Sequence, residues 1–194
     1  MKGVKNYYAR LAAGIAFVAC SIAVQAEGPT AFSLAKEGNR YVGEQAKDKI
    51  VQIRSEKSVG SLVPNVWYVV YYDPTATFKA VEVKFAEGRM IDVKRPMRLI
   101  EPITGDDKVL DHDKLKIDSD KAIAIAIKDP TLDRLTLRAT KIWLQRGDEG
   151  SVWKIRFWAD KFRNPGEDAD IGDIYVSATD GKVVKYDVHP DRLS

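Results

Sequence analysis

With one cysteine and two histidines in 194 residues, the chain has little with which to do metal or thiol chemistry. The cysteine, Cys20, sits in an apolar N-terminal stretch. Neither His112 nor His189 has a histidine, cysteine or paired carboxylate at zinc-ligand spacing. A catalytic zinc takes three protein ligands, so no metal and no cofactor is expected. There is no G-x-S-x-G elbow, no H-E-x-x-H and no glycine-rich phosphate loop. Ser61 has no visible base and reads as a loop serine. No apolar run reaches the roughly 20 residues of a spanning helix. Nor does one sign of charge dominate: 31 Lys+Arg stand against 28 Asp+Glu. Nucleic-acid binding, which needs a basic stripe, is not expected.

What the N-terminus has is a leader. Lys2, Lys5 and Arg10 precede an uncharged apolar run from Leu11 to Val24, and Val24-Gln25-Ala26 offers small residues for cleavage. This is the pattern of a secretory signal peptide over 1–26. Retention as an N-terminal anchor is one alternative. Lipid attachment at Cys20, in Phe17-Val18-Ala19-Cys20, is another. Taking Lys2, Lys5 and Arg10 from the 31 Lys+Arg leaves 28, against 28 Asp+Glu. The remaining 168 residues are enough for one domain, or for two small ones leaning on each other. Periplasmic or secreted localisation follows, with no membrane span after cleavage.

Along the chain, Val42, Ala46, Ile50 and Ile53 fall at helical spacing. An amphipathic helix is expected over about 40–55, with Asn39 as its N-cap. Strands are expected at 65–73, at 78–94 as a hairpin turning at Glu87-Gly88, at 135–144 and 151–159, and at 173–188 as a hairpin turning at Asp180-Gly181. The stretch 118–129 alternates Ile and Ala like a strand. Asp118-Ser119-Asp120 before it and Pro130 after it decide for a helix. Its middle is apolar all round, which predicts burial on two sides, one of them against the first half of the chain. The segment 96–117, with Pro96, Pro102 and clustered acids, reads as a linker whose start extends the first hairpin as an edge strand.

The hairpins "VKFAEGRMI" and "VSATDGKVV" align turn on turn, and Trp67 and Trp153 stand at matching places before them. Trp67 lies 21 residues before its turn glycine and Trp153 lies 28 before its own, an excess assigned to a longer loop after Trp158. "DKAIAIAIKDP", "VWKIRFW" and "DIGDIYVSATDGKVVKYDVHPDR" resemble a PepSY domain over about 118–188. The first half resembles the same unit more faintly, its first strand missing or degenerate around 58–63. The expected fold is therefore α+β: two PepSY-like units, each a helix packed on an antiparallel β-sheet. The first spans 31–96, a linker 97–117, and the second 118–190.

The resemblance implies an exported, non-catalytic binding module that binds or restrains a peptidase or another envelope protein. It carries over no catalytic residue. The acidic clusters 111–120 and 164–173 read as turn chemistry, since Gly172 and Asp173 stand in the wrong order for a calcium loop and Thr179 stands where its distal Glu belongs. A carrier of a small apolar ligand and a carboxylate-based hydrolase are the alternatives. Trp153, Ile155 and Phe157 share one strand face, expected to be core. Lys154, Arg156 and Trp158 share the other, with the tryptophan expected under a Lys or Arg stem. With Phe162 and Arg163 on the loop that follows, Trp158 makes the candidate partner contact.

Overall fold

Thr30 and Asp118 each open a helix. In the computed structural model, which describes residues 28–97, 109–148 and 150–194, the Thr30 side chain accepts from the Ser33 amide and starts α1 (Ala31–Gly38). Asp118 accepts from the Ser119 amide and starts α2 (Ser119–Ala126). The expected leader over 1–26 with Cys20, and residues 98–108 of the expected linker 97–117 with its expected edge strand, lie outside the described residues. Both helices are short and bury a single stripe: Ala31, Leu34, Ala35 and Gly38 in α1, and Ser119, Ala122, Ile123 and Ala126 in α2. This i, i+3, i+4, i+7 spacing is that of a helix lying on one surface.

The helix expected over 118–129 is present, but its two-sided burial is not. Ala124 and Ile125 are half-exposed. The first half is met at the N-terminus of α2 instead. There Ser119 Oγ accepts from the Ala31 amide at 3.0 Å, and Asp118 Oδ1 accepts from the Phe32 amide at 3.1 Å. The side chains that begin α2 thus satisfy free amides of α1 as well.

Eight strands form one antiparallel sheet: β1 (Ile50–Ser55), β2 (Val66–Tyr72), β3 (Ala80–Ala86), β4 (Arg89–Lys94), β5 (Leu137–Gly147), β6 (Gly150–Asp160), β7 (Asp168–Ser177) and β8 (Val183–Val188). Their order is β4-β3-β2-β1-β5-β6-β7-β8. The chain therefore runs as a helix and four strands, then a helix and four strands, and the class is α+β. The two sets of strands meet at β1 and β5.

The expected helix over 40–55 is not there, and the reason is physical. Asn39 ends α1 and passes into one 3-10 turn, Asn39–Tyr41, rather than beginning an α-helix. Its side chain bridges to Asp48, accepting from the Asp48 amide at 3.0 Å, and Asp48 takes a left-handed φ of 60° that breaks any helix. Ile50–Ser55 then becomes β1, a central strand buried on both faces. Its Gln52 and Arg54 looked like a solvated helix face. In fact Gln52 is buried and Arg54 is half-buried in the sheet. The first strand of the first half is thus neither missing nor at 58–63.

The two hairpins turn as expected, with Gly88 at φ +77 and Gly181 at φ +78, the region glycine enters without steric cost. The extra residues of the second half do not lengthen a loop. The β2–β3 and β6–β7 connections, 73–79 and 161–167, are equally long, and it is β6 and β7 that outgrow β2 and β3.

One face of the sheet carries a continuous apolar cluster that joins both sets of strands to both helices. Ile53, Trp67, Val69, Tyr71, Val83 and Phe85 meet Ile142, Leu144, Trp153, Ile155, Phe157, Ile174 and Val176 there. Trp153, Ile155 and Phe157 are core, as their alternation requires. Tyr71 donates its hydroxyl to the Ala35 carbonyl at 2.7 Å and fixes α1 on the sheet. The Trp153 indole donates to the Ile117 carbonyl at 2.7 Å, just ahead of α2.

Candidate interaction surface

The opposite face of the sheet carries no described helix. At one end, the segment at Val109 packs on Val51, Val70 and Ala80. Elsewhere the face is built of aromatic and cationic side chains laid against each other. Strand alternation puts Lys141 and Trp143 of β5 outward, and likewise Lys154, Arg156 and Trp158 of β6. Pairing sets Lys141 opposite Arg156 and Trp143 opposite Lys154. On the other side of β5, Arg54 of β1 stands opposite Trp143.

The cations lie over the rings. Around Trp143, Lys141 Nζ is 4.9 Å from the ring centroid, Lys154 Nζ 5.5 Å and the Arg156 guanidinium 5.9 Å. Arg54 lies 3.9 Å above the Tyr68 ring and Lys84 5.0 Å from it. Lys154 and Lys185 approach Tyr175 at 5.7 and 5.2 Å. These are cation–π distances. The arrangement holds long, mobile side chains flat; the Trp143 and Tyr175 rings are half-exposed and the Tyr68 ring is buried beneath its cations.

Carboxylates pin the same cations from the flanks. Asp173, only 4% exposed, accepts from Arg156 Nε at 2.8 Å and Nη2 at 2.9 Å, and lies 3.1 Å from Lys154 Nζ. Burial alone would raise the Asp173 carboxyl. The Arg156 fork and Lys154 outweigh burial and hold it below the usual carboxylate range. The same hydrogen bonds to Asp173 raise Arg156 further still. Glu82 pairs with Arg54 at 2.7 Å and with Lys94 at 3.3 Å. Glu56 accepts from the Tyr68 hydroxyl and from Lys84, and both lower its carboxyl. Asp170 is 3.3 Å from Arg156. Among the described residues, Lys141 has no ion-pair partner.

Of the three residues expected to contact a partner, Trp158 lies on this face, half-buried beneath a lysine. That lysine is Lys57, which arrives from the β1–β2 connection, sits 4.8 Å from the ring centroid and pairs with Asp168 at 2.8 Å. Phe162 is 60% exposed and Arg163 is exposed. Both ride on the 161–167 loop, which is tied to the C-terminus by the Phe162 amide donating to the Leu193 carbonyl. Arg54, Tyr68, Lys141, Trp143 and Tyr175 were missed. The signal for Lys141, Trp143 and Tyr175 was the off-core alternation of "RATKIWLQ" and "DIYVS", whose outward residues match those read at 154, 156 and 158; Arg54 and Tyr68 lie in strands buried on both faces and carried no such signal.

Beside Trp158 a cleft of about 570 Å³ opens between the 57–62 and 137–139 segments, lined by Lys57, Ser58, Gly60, Leu62, Arg138 and Asp168. It lies at the end of the sheet and not between sheet and helices. Its one carboxylate, Asp168, is already engaged by Lys57.

The acidic clusters are dispersed. Asp118 caps α2, Asp111 accepts from the Asp113 amide at 3.2 Å, and Asp170 accepts from the Gly172 amide at 2.8 Å. Among the described residues, no three of His, Cys, Asp and Glu are grouped to hold a metal ion. No described helix is long and apolar enough to cross a membrane. No protein-family model, curated protein or solved structure matches the chain.

Proposed function

We propose that this chain is an exported, non-catalytic binding module, and that it holds a protein partner, such as a peptidase, on the open face of its sheet. The reading takes the chain as two PepSY-like units, 31–96 and 118–190. The doubled run of a helix and four strands and the matched glycine turns support that division. The observation that carries the function is the lattice of Trp143, Trp158, Tyr68 and Tyr175 held under lysines and arginines on a face that carries no described helix. Trp, Tyr and Arg are the residues that anchor protein interfaces. Here they are already ordered, so a partner meets them with little side-chain entropy left to lose.

A photo-crosslinking residue placed at position 143 tests the reading, with one at position 121 on the helix side as control. The expected result is a saturable crosslink to a protein of the native extract from 143, competed away by unlabelled chain and absent from 121. Equal labelling from both positions, or none from 143, would rule out the open face as the contact.

A further inference from the structure

We infer that the partner of the open face is an acidic polypeptide surface, which sets its carboxylates against Lys141, Lys154 and Arg156 around Trp143. The inference rests on the binding-module reading and adds the chemistry of the partner. The outward positions of the three central strands, β1, β5 and β6, include Arg54, Lys141, Lys154 and Arg156; the one carboxylate among them, Asp160, ends β6 beyond Trp158 and is engaged by Arg138. The carboxylates that serve this group come from neighbouring strands, and they are shared. Asp173 serves both Arg156 and Lys154. Glu82 serves Arg54 and Lys94. Lys141 makes no direct ion pair among the described residues: it lies over the Trp143 ring, and Glu56, the carboxylate it interacts with at longer range, is engaged by Tyr68 and Lys84. Among the described residues, the cations around Trp143 therefore share their carboxylates.

The geometry also shows what kind of anion fits. Arg156 already takes a carboxylate side-on, through Nε and Nη2, the paired geometry that favours carboxylate recognition. A side-chain carboxylate lying along Trp143 meets the ammonium of Lys141 and packs its methylenes on the ring. A long, uniformly charged polyanion or an anionic bilayer is less well matched. Towards the sheet edges the same face carries Asp92, opposite Lys84, and Asp187, opposite Asp173. The positive patch thus gives way to acids on both sides, and the whole chain is nearly balanced at +3. A short acidic stretch of a folded partner can seat in the centre and avoid that rim.

Calorimetric titration of the protein with poly-L-glutamate at low salt tests this, with dextran sulfate and phosphatidylglycerol-containing vesicles as parallel probes. Poly-L-glutamate is expected to bind saturably. Lys141→Glu should weaken that binding at least about tenfold, and Lys141→Gln by a smaller factor. Lys121→Glu, at an exposed position of α2, should change it less than about twofold. Circular dichroism confirms that each variant is folded. No binding of poly-L-glutamate, or unchanged binding by both Lys141 variants, overturns the inference. Dextran sulfate or vesicles binding as tightly, with the same dependence on Lys141, overturns it in favour of a general anion surface. If the position-143 crosslink captures a protein whose yield Lys141→Glu does not lower, the acidic partner falls while the binding module stands. If that crosslink itself fails, the module reading falls.

Discussion

Gly172 and Asp173 adjoin in β7 and show how narrowly the open face is set. Gly172 has φ +105, and a Cβ there would stand 2.0 Å from the Asp187 carbonyl oxygen. Backbone cannot retreat as a side-chain tip can, so Gly172→Ala should cost about 2–4 kcal/mol through strain and a spread β7–β8 pairing. A urea midpoint equal to the parent's would refute this. At the next residue, Asp173→Asn removes the two-pronged charged partner of Arg156 and leaves it only the longer contact with Asp170. A loss of about 1–3 kcal/mol at pH 7 is expected from a hydrogen-bonded ion pair of this kind. The pH dependence has a definite sign. The Asp173 carboxyl lies below its ordinary value in the folded protein, so its contribution is complete above the unfolded value of about 3.9 and fades as pH falls through the lower folded value. The stability gap between parent and Asp173→Asn, measured by urea unfolding, should therefore shrink below about pH 4. A gap that stayed constant down to pH 2.5 would mean that the pair does not govern the residue. Neither position was legible from sequence. "DIGD" reads as a turn or a poor calcium loop, and only the pairing of β6 with β7 brings Arg156 to Asp173.

At the scale of elements, the difference between what the sequence conveys and what it hides follows the number of buried faces. The hairpins at Gly88 and Gly181, the two-faced β6 and the capped α2 were all legible, because a turn residue or a clean alternation marks each. β1 was not. A central strand with Gln52 and Arg54 on one side and Ile50 and Ile53 on the other imitates an amphipathic helix, because the partner that covers Arg54 is Glu82, 28 residues away. α1 was hidden for a different reason. Its 8 residues are too few for a periodic signal to stand out, and a helix this short depends on tertiary contacts. Its N-terminus takes such contacts from Asp118 and Ser119. Removing Ser119 Oγ by Ser119→Ala frees the Ala31 amide and should cost about 1 kcal/mol. Asp118→Ala frees the Phe32 and Ser119 amides together and should cost about 1–2 kcal/mol. Hydrogen exchange distinguishes this clasp from a simple cap of α2. The amides of Ala31 and Phe32, in the other half of the chain, should lose protection in these variants, and unaltered protection there would show that α1 stands without the clasp.

For the whole molecule, the question is whether two sets of strands make one folding unit. The seam between them is short in ordinary pairing, with Ile53 opposite Leu144 and Arg54 opposite Trp143. Side chains extend it. Ser55 Oγ accepts from the Ile142 amide at 3.0 Å, Ser58 Oγ accepts from the Thr140 amide at 2.8 Å, and Thr140 Oγ1 donates to the Leu62 carbonyl at 2.7 Å. Ser55, Ser58 and Thr140 are all buried, so these hydroxyls take the place of ladder bonds in a region closed to water. Below them one apolar cluster runs unbroken from Phe85 to Val176. Such a core exposes a large surface if either half opens alone, so opening of the halves should be coupled. Ser55→Ala leaves the Ile142 amide buried without a partner and should cost about 1–3 kcal/mol. Native-state hydrogen exchange then reads the coupling. Amides in the middle of β2 and β3 and those in the middle of β6 and β7 should exchange at the same free energy in the parent, and fall by the same amount in Ser55→Ala. If β6 and β7 kept their protection while β2 and β3 lost theirs, the halves would be separate units that happen to share an edge. The open face, which draws Arg54 from one half and Trp143 from the other, would then be no more permanent than that edge.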